Sequence, residues 1–313
     1  MTDSTLFERV TIIGFGLMGS SLARALRRHR VVHRVVACDA DEHVRATISR
    51  LDLADTVTPD PAEAVADADL VILATPVGAV GRVAAAIGPH LTPGTLVTDV
   101  SSVKAAVIRD VTPHLPADVI FVPGHPVAGT ERSGPEAGFA DLFEGRYCVV
   151  TPLASTPPEA VERIETMWRS LGSLVEHMDP DHHDRAMAMV SHLPHLIAYT
   201  IVSTATDLEA DRLEEVVRFS AGGFRDFTRI AASDPIMWRD IFLANRDAVL
   251  EMLQRFTEDL TALQRAIRWG EGDTLEQMFR RTRVIRRSVV EARQAGTFRP
   301  TEEHAAMDPD TLG

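Results

Sequence analysis

Arg9–Leu26 reads RVTIIGFGLMGSSLARAL. The apolar run Val10–Ile13 has the length and branching of a buried strand. Gly14, Phe15, Gly16, Leu17, Met18 and Gly19 follow it without a gap as G-x-G-x-x-G, and the spacing of Leu22, Ala23, Ala25 and Leu26 predicts a helix with one packed face. In that setting Gly14 serves the tight turn, Gly16 leaves room for a pyrophosphate, and Gly19 lets helix and strand approach. The free N–H groups at the helix start then face the phosphates. The run Val35-Val36-Ala37-Cys38-Asp39 predicts a second strand ending in an acid 20 residues after Gly19, placed to bind the adenosine ribose hydroxyls. A carboxylate there repels a 2′-phosphate, so the expected cofactor is NAD and not NADP.

The rest of the chain extends this start. Strand candidates at Val10–Ile13, Val35–Cys38, Thr56–Thr58, Leu70–Ala74, Leu96–Thr98 and Val119–Val122 alternate with helical stretches, the pattern of a doubly wound, Rossmann-like α/β parallel sheet. Thr75 and Pro76, after the fourth strand, fall at the carboxyl edge where dinucleotides lie. Ser101 and Ser102, after the fifth, read either as helix N-caps or as site residues beside Asp99 and Lys104. His125 and Glu131 fall in a Gly- and Pro-rich stretch, Pro123–Gly134, that predicts an irregular loop at the crevice mouth. A histidine there is either solvated or an acid–base group. Tyr147–Thr151 and Leu174–His177 predict two more strands, extending the first domain over residues 1–177.

From Asp179 strand signals stop, and residues 178–296 read as an all-helical domain followed by a polar tail, 297–313. Pro180–Ala205 predicts one helix, kinked at Pro194, carrying His182, His183, Ser191, His192 and His195. Those spacings match no zinc motif, so no metal is expected. Arg225 and Arg229 would share a helical face. Arg229 reads either as a carboxylate clamp or as a partner of Asp226. Pro235 to about Arg268 predicts one long amphipathic helix, and Asp273–Glu276 resembles a capping box opening the last one. So much apolar helical surface suggests a homodimer.

The bulk numbers exclude other classes. A net charge of −13 argues against nucleic-acid or anionic-membrane binding. The N-terminal MTDSTLFER lacks the basic and apolar pattern of a leader, and no apolar run reads as membrane-spanning. The only two cysteines, Cys38 and Cys148, sit in apolar runs and are expected to be free, buried thiols of a cytoplasmic protein.

Five stretches together resemble the prephenate/arogenate (cyclohexadienyl) dehydrogenase family: GFGLMGSSLARAL at Gly14–Leu26, DVSSVK at Asp99–Lys104, GHPVAGTERSG at Gly124–Gly134, VSHLPH at Val190–His195 and GGFRDFTRIAASDPIMW at Gly222–Trp238. The resemblance implies a Rossmann-like domain followed by a helical dimerisation domain, and oxidative decarboxylation of prephenate or arogenate with NAD. It also implies that His125 contacts the C4 hydroxyl and Ser102 orients it, and that Arg229 binds a carboxylate. His195, Ser191 and His192 would reach into the pocket, Trp238 would form its wall, and Glu131 and Asp184 would lie near the site and link the domains. The competing readings are a β-hydroxyacid dehydrogenase and a non-catalytic NAD sensor. The first family uses a second-domain lysine, and this chain has no lysine after Asp179.

Overall fold

The structure is a computed structural model that describes residues 5–206 and 222–295. Six parallel strands form the main sheet: β1 (Phe7–Ile13), β2 (Val32–Cys38), β3 (Thr56–Thr58), β4 (Leu70–Leu73), β5 (Leu96–Asp99) and β6 (Ile120–Phe121), in the order β3-β2-β1-β4-β5-β6. The order reverses between β1 and β4, and that switch point opens the ligand crevice at the strands' carboxyl ends. Alternate residues face opposite layers. Val10, Ile12, Leu70 and Ile72 join one core, while Ile13, Val71, Leu73 and Val97 join the other. Both faces are buried, which is why these strands read as unbroken apolar runs. Each buried Val, Leu or Ile contributes about 1.5–3 kcal/mol.

Helices α1 (Leu17–Arg28) and α2 (Glu42–Arg50) follow β1 and β2. The short α3 (Pro61–Ala64), then α4 (Val80–Ile87) and α5 (Ala105–Val111), complete the crossovers. A second, three-stranded sheet corrects the expectation of an irregular loop around His125. Gly124–Pro126 forms β7, antiparallel to β8 (Tyr147–Val150), which runs parallel to β9 (Leu174–His177) across helix α6 (Pro158–Ser170). The Gly and Pro content misled because a three-residue strand needs few ladder donors: Thr151 N–H reaches the Pro123 carbonyl and Val127 N–H the Tyr147 carbonyl at its two ends.

The chain divides into two compact units, Met1–Met252 and Leu253–Gly313, so the described residues of 178–252 pack in one unit with the sheet. The expected Pro180–Ala205 helix is α7 (Pro180–Met187) and α8 (Leu193–Thr206), joined by a π-helical turn, Ala188–His192, that ends two residues before Pro194. The wider turn accommodates a proline that has no N–H to give. By length and composition this run is apolar enough to cross a membrane, contrary to the sequence expectation, but it buries His183 and Asp184 within the unit. Helix α9 (Gly222–Thr228) stops before Arg229, which opens a 3-10 turn, so Arg225 and Arg229 do not share one helix. The long helix expected from Pro235 is broken at Asn245 into α10 (Pro235–Ala244) and α11 (Arg246–Trp269). Asn245 adopts φ −105°, ψ 32° and turns its amide inward. Helix α12 (Gly272–Ala295) starts one residue ahead of the expected capping box. The tail from residue 297 lies outside the described residues.

Candidate active site

The cofactor end is built by the glycine loop. Gly14 takes φ +94°, and a Cβ there would stand 2.7 Å from the Ala74 carbonyl oxygen. A Cβ on Gly19 would meet the Gly14 carbonyl oxygen at 2.0 Å. Gly16 differs: it is exposed, and a Cβ there would meet nothing within 4 Å. Protein packing therefore requires Gly14 and Gly19, whereas Gly16 leaves an open cradle at the N-terminus of α1, where no side chain caps the helix. Leu17 and Met18 form its first turn, half-buried, while Phe15 is fully buried beneath. Asp39 ends β2. Its Oδ2 accepts the Phe15 N–H at 2.8 Å and its Oδ1 the Asp41 N–H at 2.9 Å, leaving each oxygen a further lone pair for ribose hydroxyls. Beyond β4, Thr75 Oγ1 is buried without a partner among the described residues, and so is Ser101 Oγ beyond β5. Pro76 is exposed beside Thr75. An open cradle, uncapped helix N–H groups, ribose acceptors and orphaned hydroxyls on the same sheet edge fit a dinucleotide. Gly16→Ala should raise the NAD Kd at least about tenfold, since the pyrophosphate must pass over it, and leave the melting temperature nearly unchanged. Titration calorimetry beside a thermal melt checks both, and a stability loss matching the affinity loss would make the role structural.

The other end of the candidate site hangs on a buried ion pair. Lys104, the only lysine in the chain, is completely buried, with its Nζ 2.5 Å from Asp99 Oδ2 and 2.6 Å from the Gly124 carbonyl oxygen. Asp99 also accepts the Ser101 N–H at 2.9 Å and the Gly124 N–H at 3.1 Å. The end of β5 is thus tied to β7, and His125 follows Gly124 on that strand. His125 is buried, and its Nδ1 lies 2.8 Å from His183 Nε2 on α7. The other ring nitrogen of His183, Nδ1, lies 2.8 Å from Asp184 Oδ1. Asp184 in turn accepts the backbone N–H of Lys104 and of Ala105, at 2.7 and 2.9 Å. Burial, reinforced by the neighbouring His183 and Lys104, pushes the His125 imidazole well below its ordinary range, so it is neutral near pH 7. Ser102 is half-buried two residues before Lys104.

The helical side brings together several of the expected residues. His195 stacks on Trp238 with ring centres 3.6 Å apart, and its Nδ1 donates to the Ser191 carbonyl at 2.9 Å. Ser191 thereby acts through its backbone. His192 is fully buried, edge-on to Trp238, and burial brings its pKa down to about 4. The Asn245 amide donates to the Asp184 carbonyl oxygen at 2.8 Å and reaches His192 Nδ1 at 3.1 Å. Arg229 pairs with Glu131 at 2.7 Å rather than with Asp226, joining the β7 side to the helical side through two exposed groups. The Glu131 carboxyl is held below its usual value by its own backbone N–H and by Arg229. Sequence reasoning missed the placement of His183, Lys104 and Asn245. A lysine at a strand-to-helix junction, and a histidine and an asparagine inside predicted helices, were the available signals.

The model of the prephenate dehydrogenase nucleotide-binding domain matches residues 22–177, and that of the prephenate dehydrogenase dimerisation domain matches residues 179–281. A cyclohexadienyl dehydrogenase of Zymomonas mobilis is 43% identical over 282 residues, covering 90% of this chain and 96% of that protein. Among solved structures, prephenate dehydrogenase of Aquifex aeolicus in complex with hydroxyphenyl propionate and NAD+ superposes with a TM-score of 0.84 at 33% identity, covering 90% of this chain and 98% of that one. Arogenate dehydrogenase of Synechocystis superposes with a TM-score of 0.74 at 27% identity, covering 90% of this chain and 99% of that one.

Proposed function

The chain belongs to the prephenate dehydrogenase family, and from that premise we propose a division of labour for its residues in the NAD-dependent oxidative decarboxylation of prephenate or arogenate. The observation that carries it is a buried, neutral His125 at the carboxyl edge of a dinucleotide-binding sheet. The substrate ring bears a hydroxyl and a hydrogen on C4 and a carboxylate opposite. Bound NAD supplies the hydride acceptor. As the C4–H pair leaves and the carboxylate carbon departs as CO2, the electrons of the broken C–C bond aromatise the ring. His125 accepts a hydrogen bond from the C4 hydroxyl and so stabilises positive charge developing on that oxygen. Ser102 orients the same hydroxyl. His195, Ser191, His192 and Trp238 line the substrate side. Gly14–Gly19, Asp39, Thr75, Pro76 and Ser101 hold the cofactor, and aligning C4 with it is chiefly a positioning problem.

Arg229 is assigned to a substrate carboxylate. Its pairing with Glu131 is exposed on both sides, and such pairs are weak, so the guanidinium is free to exchange partners. Arg229→Gln should raise substrate KM roughly 10- to 100-fold, the worth of a charged hydrogen bond, and leave kcat nearly unchanged. Steady-state kinetics decide it, and an unaltered KM removes Arg229 from the carboxylate site.

Residues 178–296 are proposed to carry the substrate contacts and a homodimer interface. Ile267, Trp269 and Phe279 are exposed apolar groups on α11 and α12 that support the second role. Two buried free thiols, Cys38 and Cys148, support a cytoplasmic setting. The deciding experiment follows NADH absorbance with purified protein, NAD and either prephenate or arogenate. Turnover with one or both establishes the reaction and its side-chain preference. NAD binding without turnover on either refutes it.

A further inference from the structure

Building on that reading, we propose that His183 and Asp184 are positioning residues that hold His125 in the tautomer with its proton on Nδ1, leaving Nε2 as a bare lone pair for the substrate hydroxyl. The argument is donor and acceptor accounting along one chain of contacts. Asp184 receives backbone N–H groups on both carboxylate oxygens, from Lys104 on Oδ1 and Ala105 on Oδ2. An ionised carboxylate only accepts. The His183 Nδ1, 2.8 Å from Asp184 Oδ1, must therefore carry the proton of a neutral ring. The opposite nitrogen, Nε2, is then the acceptor. It lies 2.8 Å from His125 Nδ1, so that nitrogen must donate. The two rings meet at 79° with centres 5.0 Å apart, an edge-on approach. One proton on Nδ1 of His125 leaves Nε2 empty.

The alternative is a doubly protonated His183, which would reverse the bond and put the His125 proton on Nε2. That places a charge in a ring with no solvent exposure, whose neutral form already satisfies both of its contacts. The other groups facing His125 do not compete for Nδ1: Lys104 Nζ is spent on Asp99 and the Gly124 carbonyl, and the Cys148 thiol is held protonated by burial.

The test combines a spectroscopic readout with rescue. In protein labelled with 15N on histidine rings, His125 signals are identified by their loss in His125→Asn, and their shifts report which nitrogen is protonated. Near pH 7 we expect Nδ1–H. Protonation on Nε2 overturns the proposal, and this reading needs no variant of His183 to fold. In kinetics, His183→Leu should lower kcat about 100-fold, the scale of a lost acid–base contact, with substrate KM and NAD Kd little changed. His183→Gln keeps an acceptor near the Nε2 position and should recover at least about tenfold of that loss. A glutamine variant no better than leucine would overturn the proposal. Absence of turnover by the unaltered enzyme on both substrates would instead refute the assigned reaction, while the ring-nitrogen shifts still report the tautomer.

Discussion

Replacing His125 by asparagine will lower kcat by about 10²- to 10⁴-fold, the usual contribution of a positioned acid–base group, while the NAD Kd stays within about twofold. Asparagine fills part of the same volume on β7, so the strand and its anchoring to Asp99 through Gly124 persist. On the proposed role, only the acceptor for the C4 hydroxyl is lost. Calorimetric NAD titration beside steady-state turnover separates the two effects, and a parallel loss of NAD affinity would show the change to be structural. The same residue sets a pH expectation. The proposed role makes neutral imidazole the active form, and its pKa lies well below the ordinary value because burial and the neighbouring His183 and Lys104 disfavour a second proton. An ordinary imidazole with a pKa of about 6.5 would lose roughly three quarters of its neutral form at pH 6. Here kcat should hold to pH 6 and fall only at lower pH, as His125 becomes protonated. An acid limb at or above the ordinary value would contradict the buried position of His125.

The parts of the site that were legible in the sequence share a cause. The G-x-G-x-x-G loop and Asp39 are local: their roles depend on a strand, a turn and a helix contiguous in the chain, so spacing alone places them. His125, Ser102 and Arg229 were singled out through motifs in fixed order. What escaped was the contact that each makes over a long sequence distance. Nothing near Arg229 points to Glu131, 98 residues away, and the local alternative Asp226 was the natural partner to expect. His182 and His183 are adjacent and indistinguishable by composition, yet helix phase exposes the first and buries the second against His125. Asn245 lies in a run whose apolar period continues on either side, and the break it makes is visible only once its amide finds the Asp184 carbonyl and the His192 ring. Long-range polar pairing is not periodic, so it leaves no pattern in the sequence.

Lys104 shows what such a pairing contributes, and Lys104→Met should be the most destabilising single change in the site. Both members of the Lys104–Asp99 pair have side chains with no solvent exposure. Removing the ammonium leaves the Asp99 carboxylate buried and uncompensated, a loss of about 3–5 kcal/mol. In urea the unfolding midpoint should fall accordingly, and the melting temperature should drop by roughly 6–20 °C for a unit of this size. A cost below about 1 kcal/mol would mean that solvent reaches the carboxylate and that the pair is no deeper than a surface contact. Arginine will not substitute. The chain uses arginine for each of its other 31 basic residues, 32 in all less this lysine, so the exception has a local reason. The ammonium Nζ meets two acceptors, Asp99 Oδ2 and the Gly124 carbonyl. A guanidinium would bring five N–H groups into a space with no exposure, leaving several unsatisfied. Because Gly124 immediately precedes His125, both variants should also lower kcat, and Lys104→Arg should do so even where the protein remains folded. Turnover measured well below each variant's melting temperature separates that local displacement of His125 from global unfolding.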